Sequence, residues 1–194
     1  GLNLYRTYSN SSIEASAVGN SSSGGELATQ TNIDPTSIAL SIFSSSSSST
    51  GGNDANLSLS IPQGGGIATG RHTVTVETGS SVIGYDLMLS SDSGETSLVN
   101  GDNVDNEGND SGSIIPTTTG ILTSPSQLAD KSYGYTLTNL DNDSSLVNTN
   151  IWIGLKPNTN PDTIATVDEA SLAIGQANTT SHNIYYGVNI QSPV

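Results

Sequence analysis

The stretch Ile83-Gly84-Tyr85-Asp86-Leu87-Met88-Leu89 decides the fold class. Ile83, Tyr85, Leu87 and Leu89 fall on one face of an extended chain, with Gly84, Asp86 and Met88 on the other. A helix would spread those apolar residues around its circumference, whereas a half-buried strand gathers them at every second position. The same period recurs in both directions. Downstream, Tyr133, Tyr135 and Leu137 alternate with Gly134 and Thr136. Ile151, Ile153 and Leu155 oppose Trp152, and Ile184, Tyr186, Val188 and Ile190 form the last run. Upstream, Val74 and Val76 alternate with Thr73, Thr75 and Glu77, and Leu57, Leu59 and Ile61 with Ser58 and Ser60. Ile38, Leu40 and Ile42 alternate with Ala39, Ser41 and Phe43, and Leu2, Leu4, Arg6 and Tyr8 share one face of an N-terminal strand. No 3.6-residue period persists; the best helical candidate, residues 168–174 closed by Gly175, amounts to a turn or two.

Turn-forming residues fill the intervals at 44–54, 62–66, 100–112, 139–145 and 157–161. Short strands separated by Gly, Ser and Asn turns predict an all-β protein. The expected fold is an antiparallel β-sandwich, Ig-like or jelly-roll-like, with long Ser/Asn/Gly-rich loops. One buried and one solvated face explain why each apolar residue has a Ser or Thr neighbour. The serine run 44–49 reads as a loop tip. At 194 residues the chain holds one sandwich domain.

Composition excludes several function classes. Ser, Thr, Asn and Gly make up about half of the chain, and only 11% is charged. Four basic against eighteen acidic residues give a net charge of −14, a field that repels nucleic acid. No apolar run approaches the ~18 residues of a membrane-spanning helix, so no transmembrane segment is expected. The chain has no cysteine, which removes disulfides, thiol catalysis and cysteine-based zinc sites. Trypsin-like proteases find only Arg6, Arg71, Lys131 and Lys156, which suits an extracellular surface. The opening at Gly1 reads as a processed chain whose leader has been removed.

Candidate chemistry is sparse. His72 and His182 are the only histidines and read as strand-edge surface residues. No nucleophile elbow, zinc-protease motif or phosphate-binding loop is present, so no catalytic residue is assigned and the protein is not expected to be an enzyme. The carboxylates offer more. Residues 100–110 carry four acids and four Asn, with Asp102 and Asp105 as candidate ligands. Asp141, Asp143 and Ser145 place oxygens at positions 1, 3 and 5, like the start of a calcium loop. Calcium is the cation such oxygens would hold, although Leu146 and Trp152 stand where an EF-hand needs Gly and Glu. The solvated acidic loop is the competing reading. Sequons fall at Asn10, Asn20, Asn56, Asn109, Asn142 and Asn178. Nineteen Asn in a chain with about 28% Ser plus Thr yield about five by chance, so these six sites for glycans are no signal of glycosylation. Trp152 and most tyrosines alternate into strand faces and read as core, while Tyr185, out of phase with Ile184 and Tyr186, is expected to point outward.

From about residue 38 onward the chain resembles secreted surface-protein β-domains of Saccharibacteria and related candidate-phylum bacteria. The blocks that carry the resemblance are TGRHTVTVET (69–78), VIGYDLMLSSDSGETSLVN (82–100), SIIPTTTGILTSPSQLADKSYGYTL (113–137), WIGLKPNTNPDTI (152–164) and HNIYYGVNI (182–190). Tyr133 stands where that family often has Trp. The resemblance implies an extracellular structural or adhesive role and supplies no catalytic residue. It also implies one more strand after the Tyr185-Tyr186-Gly187-Val188 block, where this chain stops at Val194. The expectation is therefore an N-terminal arm, residues 1–25, ahead of a sandwich, residues 26–194. Leu2, Leu4, Arg6 and Tyr8 donate a strand, and Ile184, Tyr186, Val188 and Ile190 border the place it fills in a sister copy. A missing strand leaves an edge that proteins avoid exposing, and head-to-tail filling by strand addition yields a filament. The expected function is a structural subunit of a cell-surface fibre or pilus, a homopolymer without cofactor other than calcium, in contact with a host or neighbouring cell surface. The alternative is a monomeric adhesin or carbohydrate-binding module.

Overall fold

The computed structural model describes residues 11–17, 38–46, 49–52, 57, 59–62, 64–91, 94–99, 114–173 and 175–191. They form ten strands and no α-helix. In chain order these are β1 (Ser11–Ala17), β2 (Ile38–Ser46), β3 (Ser49–Gly52), β4 (Gly66–Thr78), β5 (Tyr85–Ser91), β6 (Leu98–Val99), β7 (Ile114–Ile115), β8 (Ser132–Thr136), β9 (Asp162–Val167) and β10 (Asn178–Ile190). One antiparallel sheet runs β2-β4-β10-β8, extended at the β2 margin by the short β3. A second pairs β5 with β9 and is extended on the other side of β5 by β1. β6 and β7 form a separate two-stranded ribbon. None of the sheets closes on itself, an arrangement consistent with a β-sandwich.

Strand phase sets the core. On β4 the side chains of Val74 and Val76 are buried while Thr73, Thr75 and Glu77 are half-exposed, as their alternation predicts. Tyr85, Leu87 and Leu89 of β5 meet Ile184, Tyr186, Val188 and Ile190 of β10 in one cluster that also takes in Ile38, Leu40, Tyr133 and Tyr135. Fully burying each aliphatic side chain contributes about 1.5–3 kcal/mol, so this shared layer holds the two sheets together.

β10 has two buried faces. Trp152, Tyr185, Leu128 and Leu140 form a second cluster on the side away from the main core. The Trp152 ring lies flat over Gly187, where an added Cβ would come within 2.4 Å of it. Only glycine leaves the ring that room, and its indole N–H donates to the Val147 carbonyl at 2.8 Å. Tyr185 does take the opposite phase from Tyr186, but that face is roofed by residues 139–152, so it is buried instead of solvated.

Several sequence expectations are corrected. The described residues of 57–61 form no strand: Leu57 and Leu59 pack against Gly70 without joining a ladder. Residues 151–155 make only isolated bridges, Trp152 to Ser126 and Ile153 to Tyr135. The serine run carries the end of β2 and the start of β3, which pair at Ser44↔Gly52 and Ser46↔Ser49. β1 and β9 were not anticipated. β1 lies within residues 1–25, yet it pairs with β5 from Ser11↔Ser91 to Ala17↔Tyr85, so that part of the arm belongs to the sandwich. The helical candidate is a 3-10 turn, Glu169–Ser171, capped by the Asp168 side chain.

Candidate functional site

Strand addition needs a vacant backbone flank, and such flanks lie at the sheet margins. β10 pairs with β4 along its whole length and with β8 over residues 185–189. Ile184, Tyr186, Val188 and Ile190 are thus core side chains on an interior strand, and residues 185–189 have no vacant flank. This corrects the placement of Tyr186 and Val188 beside a missing strand; Ile184 and Ile190 lie just outside the stretch that β8 pairs. β8 is itself covered: Tyr133 N–H donates to Pro116 O and Thr118 N–H to Tyr133 O, while Tyr135 and Ile153 exchange two hydrogen bonds of 2.8 and 2.9 Å. Among the described residues, β9 has no partner strand on the side away from β5. Leu2, Leu4, Arg6 and Tyr8 lie outside the described residues.

A buried polar cluster sits where β9 begins. Asp162 is 4% exposed. Its Oδ1 lies 2.6 Å from Lys156 Nζ, and its Oδ2 accepts a 2.6 Å hydrogen bond from Tyr135 Oη on β8. The carboxylate therefore ties the margin of one sheet to the margin of the other. Burial first, and then the hydrogen bond and charge of Asp162, push the Tyr135 phenol far above its ordinary range. It stays a donor, and the group works as a clamp. The signal that could have revealed it is an acid directly ahead of an uncharged, β-prone run, Thr163-Ile164-Ala165-Thr166-Val167.

Both histidines face inward. His72 is 2% exposed and packs edge-on against Tyr186, ring centroids 5.0 Å apart, with Nδ1 3.2 Å from Tyr186 Oη. His182 is half-buried on β10, and its Nε2 lies 2.7 Å from Tyr85 Oη on β5, so this pair bridges the sheets. Burial lowers the His182 pKa and raises that of Tyr85. The expectation of surface histidines fails because both occupy the core phase of their strands.

The Asp141 loop is held by bonds to β4 and β10 and by its own turn. Asp141 Oδ2 takes Arg71 Nη1 at 2.5 Å, and Tyr185 Oη lies 3.0 Å from both Asp141 Oδ2 and Asn139 Oδ1. Asp143 Oδ1 caps the 3-10 turn Ser144–Asn148, accepting from Ser145 N at 2.9 Å and Ser145 Oγ at 2.6 Å. Those two bonds, the hydroxyl's foremost, lower the Asp143 pKa. Asp141 Oδ2 is taken by Arg71 and Tyr185 while Ser145 Oγ donates to Asp143 Oδ1, and no cluster of three metal-ligating acids or histidines occurs among the described residues. Asp102 and Asp105 lie outside the described residues, as do Asn10, Asn20, Asn56 and Asn109. Asn142 is exposed. The Asn178 amide nitrogen donates to Ala173 O at 3.1 Å and Gln176 O at 2.9 Å, bonds that a glycan on that nitrogen would disturb.

No family model matches the chain. Comparison with curated proteins and with solved structures returned no significant match. The functional reading therefore rests on the sequence and the geometry alone.

Proposed function

We propose that this chain is a non-enzymatic, extracellular structural subunit that assembles head-to-tail into a cell-surface filament or pilus by β-strand addition, its Ig-like or jelly-roll-like sandwich completed by a strand from a sister copy. The observation that carries this reading is a sheet that does not close and that has, among the described residues, an unpaired strand flank beside its core. Exposed strand edges template pairing with another chain unless something covers them. An alternating segment, Leu2, Leu4, Arg6 and Tyr8, supplies the cover. The resemblance to secreted surface β-domains, the net charge of −14 and the scarcity of lysine and arginine support an extracellular setting without nucleic-acid partners. Light scattering and negative-stain microscopy of the purified protein test it: filaments are expected from the full chain and soluble monomers after deletion of residues 1–10. Filaments from the truncated chain would remove the arm from the junction.

One observation favours a second reading, a monomeric adhesin or carbohydrate-binding module. β1 already covers one margin of β5 from within the same chain. On that reading the full chain stays near 19.8 kDa in solution under all conditions.

A further inference from the structure

We infer that the junction forms between residues 2–8 of one copy and the outer flank of β9 in the next, and not on β10. This rests on the strand-addition reading above and names its donor and acceptor. Among the described residues, the flanks without a partner strand include the outer sides of β1, β3 and β9, residues 38–43 of β2, and residues 178–184 of β10, where β8 ends opposite Tyr185. Two of these, the outer side of β9 and residues 178–184 of β10, have every side chain described.

Side-chain chemistry separates them. On β10 the residues concerned are Asn178, Thr179, Thr180, Ser181, His182 and Asn183, all polar and alternately half-buried and exposed. A new strand there would cover little apolar surface. On β9, Ile164, Ala165 and Val167 are half-buried and packed on the main core. A strand laid there would cover this apolar rim, and removal of apolar area from water is the main driving term at about 25 cal/mol per Å². Leu2, Leu4 and Tyr8 share one face and suit it. Charge agrees. Residues 1–13 contain Arg6 and no acid in a chain of net charge −14, while Asp86, Asp168 and Glu169 flank β9 and its partner. Opposite charge steers such an encounter and disfavours the reverse docking.

Reach decides whether the arm serves its own copy or another. β1 and β9 occupy opposite margins of the sheet β1-β5-β9. A strand beyond β9 lies three strand spacings from β1, about 14 Å at ~4.8 Å each. Tyr8 is three Cα steps from Ser11, the first residue of β1, and three steps span at most about 11 Å. The arm therefore cannot seat Tyr8 on the β9 flank of its own copy. Arg6, Leu4 and Leu2, five or more steps from Ser11, have that reach, so it is the seating of residues 2–8 together, Tyr8 included, that requires a neighbour's β9, a heterologous contact that repeats without closing.

The absence of cysteine makes the test clean. Full-length chains carrying Thr7→Cys are mixed with chains carrying Thr163→Cys or Thr166→Cys, both exposed on β9, or Thr179→Cys, exposed on β10. After assembly and mild oxidation, intermolecular cross-links are expected to Thr163→Cys or Thr166→Cys and not to Thr179→Cys. Filaments whose only cross-link is to Thr179→Cys, or that show none to either β9 position, overturn the β9 assignment and leave strand addition standing. An intramolecular cross-link in a dilute chain bearing both Thr7→Cys and Thr166→Cys overturns exchange between copies. Failure of the unmodified chain to assemble overturns the filament reading itself.

Discussion

Thr78 closes the core-facing series of β4 at 1% exposure, and its hydroxyl has no hydrogen-bond partner among the described residues. A hydroxyl buried without a partner costs about 1–3 kcal/mol. Thr78→Val preserves the shape and removes the unpaired oxygen, so unfolding free energy should rise by about 1 kcal/mol, read as a higher urea midpoint at unchanged slope. Asp162 is the opposite case, with both oxygens occupied. Asp162→Ala leaves the buried Tyr135 hydroxyl without an acceptor and Lys156 without a counterion, a loss of about 2–3 kcal/mol by the same assay. Asp162→Asn keeps an acceptor for Tyr135 and should lose less. Sequence reading could not locate either residue in this way, because burial of a polar side chain depends on what packs over it. The histidines show the same limit: their strand phase was legible, but the tyrosines that bury them, Tyr186 and Tyr85, come from distant positions.

Among the elements, β2, β4, β5, β8 and β10 were legible because their apolar residues repeat every second position and face one core. Residues 57–61 have the same period, yet the described ones form no strand. Alternation reports which side chains are buried and says nothing about whether the backbone finds a ladder partner. β9 was hidden for a different reason: it carries the extra residue of a bulge, Ile164, between the pairs Leu87↔Ala165 and Met88↔Thr163, which breaks its own alternation. β1, with the sequence Ser-Ser-Ile-Glu-Ala-Ser-Ala, carries too little apolar character to stand out. Its pairing gives a separate prediction. Deleting residues 1–10 leaves the ladder from Ser11↔Ser91 to Ala17↔Tyr85 intact, so the melting temperature should hold. Deleting residues 1–17 uncovers β5, and the chain should melt lower and bind the dye ANS. Equal melting of the two truncations would show that β1 adds nothing to the sandwich.

For the whole molecule, titration sets a stability window. His182 has a folded pKa below its ordinary 6.5 because it is half-buried, so the unfolded chain binds the proton more readily. Its contribution is complete above pH 6.5 and is lost as pH falls through the lower folded value. Tyr85, Tyr135, Tyr185 and Tyr186 all have pKa values raised above 10.0, burial being the leading cause. Their contribution is complete below pH 10.0 and is lost as pH rises above it, because the unfolded phenols ionise first. Urea midpoints measured across pH should therefore form a plateau between these limits. His182→Gln should flatten its acid shoulder and leave the alkaline one in place.

The placement of β1 and β9 at opposite margins of one narrow sheet has a mechanical consequence. In a fibre joined at those margins, a pull travels through β1, β5 and β9 and bypasses the broad sheet of β2, β4, β10 and β8. The bulge in β9 then becomes the weakest seam, and under tension a subunit should yield between β5 and β9 while its larger half stays folded.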